Sequence, residues 1–275
     1  MTPRVVVGLI AGALPFGPLT AQQLAYEGAV GFATGRYIFA ARTMSWTLST
    51  GLSLAAGRVT LRAGIPVYLQ NTTLVTASGA GMIASGGPTG NAMVSDSGRS
   101  GRMGGHHLPA SARALTGYRA AVGDPVVQAG WDVVATARTT VTIRGAAKLP
   151  ATDTSALGTG EWDEGISLAV TRQVVSRWFF GLDVAYWHLG DLPQLDFLDP
   201  VLATATVGVA VGTGWNASFV VSGGTEALHG YAPPLAIGVG VARLAGHIPW
   251  IVTVTLGLTE TVPGAALGAG WRVPL

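Results

Sequence analysis

No cysteine occurs anywhere in the 275 residues, which removes disulfides, thiolate metal sites and cysteine nucleophiles together. The absence also suits a chain that crosses an oxidising compartment unfolded. Charge is scarce: only 11% of residues are charged, the formal net charge is +2, and Lys148 is the single lysine. No run of Lys and Arg could track phosphates, so a nucleic-acid partner is excluded. No segment is a continuous apolar run of roughly 18 residues, so a helical membrane bundle is excluded as well. The five histidines offer no grouping with serine and acid that would make a hydrolase. Adjacent His106 and His107 could ligate a metal, but in a Gly-rich stretch they read as solvated. "GAGMIASGG" at 79–87 lacks the strand-to-helix setting of a dinucleotide loop. Neither enzyme activity nor a metal or cofactor is expected.

What the chain has in quantity is glycine, 40 residues of it, together with Val, Thr, Ala and Trp, a composition that favours strands. Arg4, the apolar stretch "VVVGLIAGALPF" at 5–16 and "GPLTA" at 17–21 read as a secretory signal peptide over residues 1–21. The apolar part is too short for a spanning helix. Beyond it, residues alternate with a period of two. In 178–188, Trp178, Phe180, Leu182, Val184 and Tyr186 lie on one side, with Gly181, Asp183 and Ala185 on the other. In 161–172, Trp162, Ile166, Leu168 and Val170 oppose Asp163, Gly165, Ser167, Ala169 and Thr171. Residues 126–148 repeat the pattern.

Such strands fit a soluble sandwich with its apolar face buried, or a membrane barrel with that face on lipid. A soluble protein needs a charged outer face, whereas here the second face is mostly Gly, Ala, Ser and Thr. That face makes a barrel lumen. Trp178, Tyr186, Trp215, Tyr231, Trp250 and Trp271 fall at strand ends, where interfacial belts sit. The expected fold is therefore all-β: a closed antiparallel transmembrane barrel of about 10–12 strands over residues 22–275. Ten strands are read directly, near 26–48, 54–73, 126–148, 161–173, 177–189, 201–212, 214–226, 231–242, 247–260 and 264–274. Short turns at 174–176, 212–214 and 243–247 then face the periplasm, and 149–160, 190–200 and 227–230 face outward. By the same parity the Gly/Ser-rich segment 74–125 lies on the periplasmic side. It either lacks order, folds in as a plug with a short helix over 109–122 capped by Ser111, or hides two more strands.

The expected functional surface is the lumen. Its inward-facing candidates are Arg58, Arg62, Asp132, Arg138, Arg144, Lys148, Asp163, Asp183, Glu226 and Arg272, among small side chains and the bulkier Phe179 and Trp187. Lys148 and Asp163 flank the turn-rich "KLPATDTSALGTGEWD" and come close at the rim, either as a charged gate or as an ion pair that shapes the mouth. Eight strands are just filled by side chains and 16–18 leave an aqueous channel, so a narrow passage, or a lateral opening for a hydrophobic solute, fits better than a general porin. A structural or surface-interaction barrel with a filled lumen is the alternative. The implied location is a bacterial outer membrane, with its lipid and lipopolysaccharide, the barrel-insertion machinery and a small hydrophobic solute as partners.

Four motifs in order, "GDP" at 123–125, "KLPATD" at 148–153, "GTGEWD" at 158–163 and "WFFGLDVAYWHLGD" at 178–191, resemble the Gram-negative outer-membrane proteins of the meta-pathway of phenol degradation. The resemblance covers about residues 26–275 and implies a β-barrel transporter for aromatic or other hydrophobic compounds. The chain departs from that pattern at Ala151-Thr152-Asp153 and in the length of its insertion. Its last residues also resemble the final strand of outer-membrane proteins, with Leu267, Ala269, Trp271, Val273 and Leu275 alternating and leucine in place of the terminal aromatic.

Overall fold

The computed structural model describes residues 23–86, 117–151, 157–191 and 197–275. The expected signal peptide and most of the expected 109–122 helix lie outside the described residues. The chain order is β1 (Gln23–Gly35), β2 (Thr43–Ala56), β3 (Val59–Gln70), β4 (Val75–Ser78), β5 (Gly81–Ala84), β6 (Arg119–Val122), β7 (Val126–Ala135) and β8 (Thr139–Lys148). It continues with β9 (Asp163–Gln173), β10 (Trp178–His188), β11 (Val201–Val211), β12 (Trp215–Gly224), β13 (Leu235–Arg243), β14 (Trp250–Gly257) and β15 (Ala265–Pro274).

All strands except β4 and β5 join one antiparallel sheet, and that sheet closes on itself because β2 pairs with β1 and with β3. β6 and β7 lie end to end along β3, β6 against residues 67–70 and β7 against 59–64. Among the described residues the wall therefore has twelve staves. Closure satisfies the backbone of every stave without leaving an open edge, the condition for strands in a bilayer.

Two of the ten expected strands are hairpins. Residues 26–48 divide into β1 and β2 about the turn 36–42, and residues 126–148 into β7 and β8 about Thr136-Ala137-Arg138. Neither turn carries the glycine or proline that punctuates a sequence. At 136–138 the Thr136 hydroxyl does that work instead, accepting the Thr139 N–H at 2.9 Å. A bulge between Asp132 and Val134 also shifts the alternation, as bulges do. The two extra strands reverse the expected side of segment 74–125. It emerges from β3 at the end of the barrel that carries 36–42, 149–162, 189–200, 225–234 and 258–264, hereafter the loop end. Turns 57–58, 136–138, 174–177, 212–214 and 244–249 occupy the opposite, terminal end with the start of β1 and the end of β15. Arg119–Val122, expected in a helix, is strand because its backbone groups complete the upper edge of β3.

The faces are inverted relative to a soluble protein. Leu52, Ile65, Leu168, Phe219 and Val239 are exposed on the outer wall, while Ser45, Ser49, Thr204, Thr206 and Thr253 are buried within. Trp178 and Tyr186 mark the two rims of the outward face of β10. The eight residue-to-residue steps from one to the other span about 27 Å, or about 20 Å once tilted by roughly 40°. That height is close to the apolar band of membrane barrels, about 25 Å.

Candidate functional site

The loop-end mouth is filled from within. The hairpin β4–β5 turns inward from the top of β3, and nearly all of its residues are buried. Gln70, fully buried at the end of β3, donates to the carbonyls of Thr72 and Val75 at 2.6 and 2.9 Å and so fixes the hairpin's entry. Its outgoing strand leans on residues 157–158, with the Ala77 N–H donating to the Leu157 carbonyl at 2.9 Å. The tip rests on the inner wall. A Cβ placed on Gly79 would lie 2.4 Å from the Trp187 ring and 2.9 Å from the Asp163 Cβ. The same indole lies over Gly165, so both glycines are there for close approach. Tyr37, Ile38 and Phe39 from the β1–β2 turn, with Leu74, Val75, Ile83, Trp187, Leu189, Phe197 and Leu228, complete an apolar cluster across the mouth. Burial pushes the Tyr37 hydroxyl well above the ordinary tyrosine range.

A dry ionic cluster holds this packing. Lys148 and Asp163 are register partners on β8 and β9, and both are 3% exposed or less. The Lys148 ammonium stands 3.3 Å from Asp163 Oδ2 and 3.2 Å from Asp124 Oδ2, and donates to the Glu161 carbonyl at 2.7 Å and to the Thr159 hydroxyl. Asp163 in turn accepts the Gly79 N–H at 2.6 Å on one oxygen and the Gly190 N–H at 2.9 Å on the other. One carboxylate thus ties the hairpin tip, the β10–β11 loop and the wall together. Buried charges persist only when paired and hydrogen-bonded in this way.

Asp124 enters the cluster through an irregularity in the wall. Three residues, Gly123-Asp124-Pro125, stand opposite two, Ile65-Pro66, between the β3–β6 and β3–β7 ladders. Neither proline can donate to the ladder. The Gly123 N–H reaches the Pro66 carbonyl at 2.7 Å, and the bulge turns Asp124 inward.

Below the mouth, toward the terminal end, the lumen carries a second set of charges, in which Glu27, Arg62 and Arg144 are partly exposed and Asp183 is buried. Arg62 Nε lies 3.6 Å from Glu27 Oε1, with side-chain exposures of 22% and 24%. Arg272 is the cross-strand partner of Glu27. Arg144 is ion-paired with Asp183, and Asp132 accepts the Thr142 hydroxyl at 2.6 Å. Phe179 lies over Gly208 on the inner wall.

The candidates therefore divide. Lys148 and Asp163 belong to the mouth, and Arg62, Asp132, Arg144, Asp183 and Arg272 to the lower lumen. Arg58 and Arg138 do not line the lumen: both are exposed in terminal-end turns, because the alternation was extended through hairpin reversals. Glu226 lies in the 225–234 loop, beyond the end of β12. Sequence reasoning missed Asp124 and Glu27. Asp124 had a signal in the Gly-Asp-Pro motif, whereas Glu27 is an ordinary alternating position with no mark of its own. Among the described residues no group of His, Cys, Asp and Glu could hold a metal.

No family model matches the chain, and no curated protein matches it. Solved structures do. An outer membrane channel from Pseudomonas putida F1 superposes with a TM-score of 0.65 at 12% identity, covering 96% of this chain and 98% of that one. The barrel has the fold of an outer-membrane channel. The translocator domain of the autotransporter NalP from Neisseria meningitidis follows at a TM-score of 0.51 and 9% identity, over 98% of this chain and 94% of that one. The NanC porin also reaches 0.51, at 8% identity, over 91% of this chain and all of that one. The two charged layers described above lie inside this barrel.

Proposed function

We propose that this protein is an outer-membrane channel for small solutes, most suited to hydrophobic or aromatic ones, whose loop-end mouth rests closed. The observation that carries the reading is a lumen sealed above and wet below. The β4–β5 hairpin and its apolar cluster fill the loop end, while Glu27, Arg62 and Arg144 remain accessible to water inside the barrel. A closed mouth disfavours free passage of ions and hydrated sugars from the loop end. An apolar solute has another route, through the wall at Pro66 and Gly123–Pro125, where the ladder is interrupted beside the mouth. Twelve staves leave more space than the eight that side chains just fill. The resemblance of the Gly-Asp-Pro, Lys-Leu-Pro and Gly-Glu-Trp-Asp motifs to the outer-membrane proteins of the meta-pathway of phenol degradation supports the same reading.

A filled mouth also favours a second reading, a structural barrel that transports nothing. One experiment separates the two. The refolded protein is placed in vesicles with a lipopolysaccharide outer leaflet, and entry of a labelled small aromatic hydrocarbon is compared with entry into empty vesicles, alongside single-channel recording in planar bilayers. Faster hydrocarbon entry with low ionic conductance is the expected outcome. A heat-modifiable, correctly folded barrel that changes neither quantity would overturn transport and leave the structural reading.

A further inference from the structure

Among the described residues, the carboxylates outside the lumen are gathered at one end, whereas arginines occur at both. Every described connection that carries Glu161, Asp191, Asp199, Glu226 or Glu260 is at the loop end. The terminal end holds Arg58, Arg138 and Arg177 in its turns and Arg172 and Arg243 in the closing residues of β9 and β13. Its turns 57–58, 136–138, 174–177, 212–214 and 244–249 contain no Asp or Glu. Among the described residues no carboxylate pairs with these exposed arginines, which leaves them open to anions from elsewhere.

The arginines are mounted among tryptophans. Trp215, Arg243, Trp250 and Trp271 are successive register partners on four neighbouring strands, β12 to β15. They share the outward face. The Arg243 guanidinium lies 5.7 Å from the centre of the Trp215 ring, and Trp215 meets Trp250 edge-on at 5.4 Å. Trp178 adjoins Arg177 at the next rim position, and the apolar Val174 and Val175 of that turn and Ile248 of the 244–249 turn are exposed. Exposed valine and isoleucine beside arginine and tryptophan describe a surface at headgroup depth, where rings sit at the interface and guanidinium groups meet phosphates. Arginine also matches phosphate geometry with two parallel donors.

We propose that the terminal end carries a collar for anionic phospholipid, in which Arg243 between Trp215 and Trp250, together with Arg177 beside Trp178, binds the phosphate of lipids such as phosphatidylglycerol in the adjacent leaflet. The proposal rests on the reading that the barrel spans a membrane. An acidic protein of the compartment beyond would recognise the same charges, but it does not account for the tryptophans and exposed aliphatic residues interleaved with them.

The test is tryptophan quenching by brominated lipids in mixed vesicles of phosphatidylglycerol and phosphatidylcholine, with either lipid carrying the bromine. The expected result is a preference of the wild type for phosphatidylglycerol of about 25-fold, about fivefold for each of the two arginines, that falls by about fivefold in Arg243→Gln or Arg177→Gln and weakens at high salt. Arg36→Gln and Arg42→Gln, at the other end, leave it unchanged. Equal quenching by both lipids in the wild type overturns the collar while keeping the membrane reading. Quenching by neither lipid overturns the membrane reading itself. A preference that persists without Arg177 and Arg243 also overturns the collar, and equal quenching with arginine-dependent capture of poly-glutamate assigns these residues to a protein partner.

Discussion

Lys148, the only lysine in the chain, sits where its removal takes away the cation 3.3 Å from the buried Asp163 carboxylate. Breaking a buried ion pair by removing one partner costs about 3–5 kcal/mol, and here the loss is confined to the mouth because the wall ladders of β8 and β9 do not depend on it. Lys148→Met is therefore expected to free the hairpin tip while the barrel stays folded. Gly79→Val reaches the same end without touching a charge, since its Cβ would collide with the Trp187 ring. Both variants should raise the time spent in a conducting state in planar bilayers, with wild-type heat modifiability. If both fold and both stay as silent as the wild type, the ionic cluster does not hold the mouth.

The ladder against β3 is interrupted where β6 gives way to β7. Val67 and Val122 are register partners immediately above the interruption and share the outer face, so a Val67→Cys, Val122→Cys pair can be oxidised across it in a chain that has no competing cysteine. The oxidised pair should slow hydrocarbon entry several-fold and leave ionic conductance unchanged, and reduction should restore entry. Unaltered entry in the locked form would remove the lateral route. The same scale explains what the sequence hid. Strand identity was legible because Trp178 to Tyr186 and its counterparts alternate without interruption, and the expected range of about 10–12 strands includes the twelve found, but the places where the two further strands lie were not legible. Thr136-Ala137-Arg138 and 36–42 reverse the chain without glycine or proline, and Tyr37 adopts a left-handed φ of 51° that is uncommon for a non-glycine residue. The inward hairpin was equally silent, since "VTASGAGMIA" has the composition of a loop and gains its strands only from contact with residues 157–158, Asp163 and Trp187.

At the scale of the whole barrel, the inversion of apolar and polar faces was readable because almost nothing on the polar face could serve as a solvated exterior. The mouth was half readable: Lys148 and Asp163 stand at strand ends in phase, whereas Asp124 faces inward only because a bulge turns it. The lower lumen supplies a test of the entire interior as one electrostatic path. Arg62, Arg144 and Arg272 face Glu27, Asp132 and Asp183, three charges of each sign, so the described lower layer has no net charge to select ions by. In a barrel opened by Gly79→Val, which removes no charge, the lower layer should add no preference of its own to the reversal potential in a potassium chloride gradient. Adding Glu27→Gln leaves one excess positive charge and should shift it toward anion preference, while Arg272→Gln should shift it toward cations by a similar amount, both shifts shrinking as salt screens the lumen. Opposite shifts from opposite substitutions place the current inside the barrel past this layer; indifference to both would mean that ions bypass it.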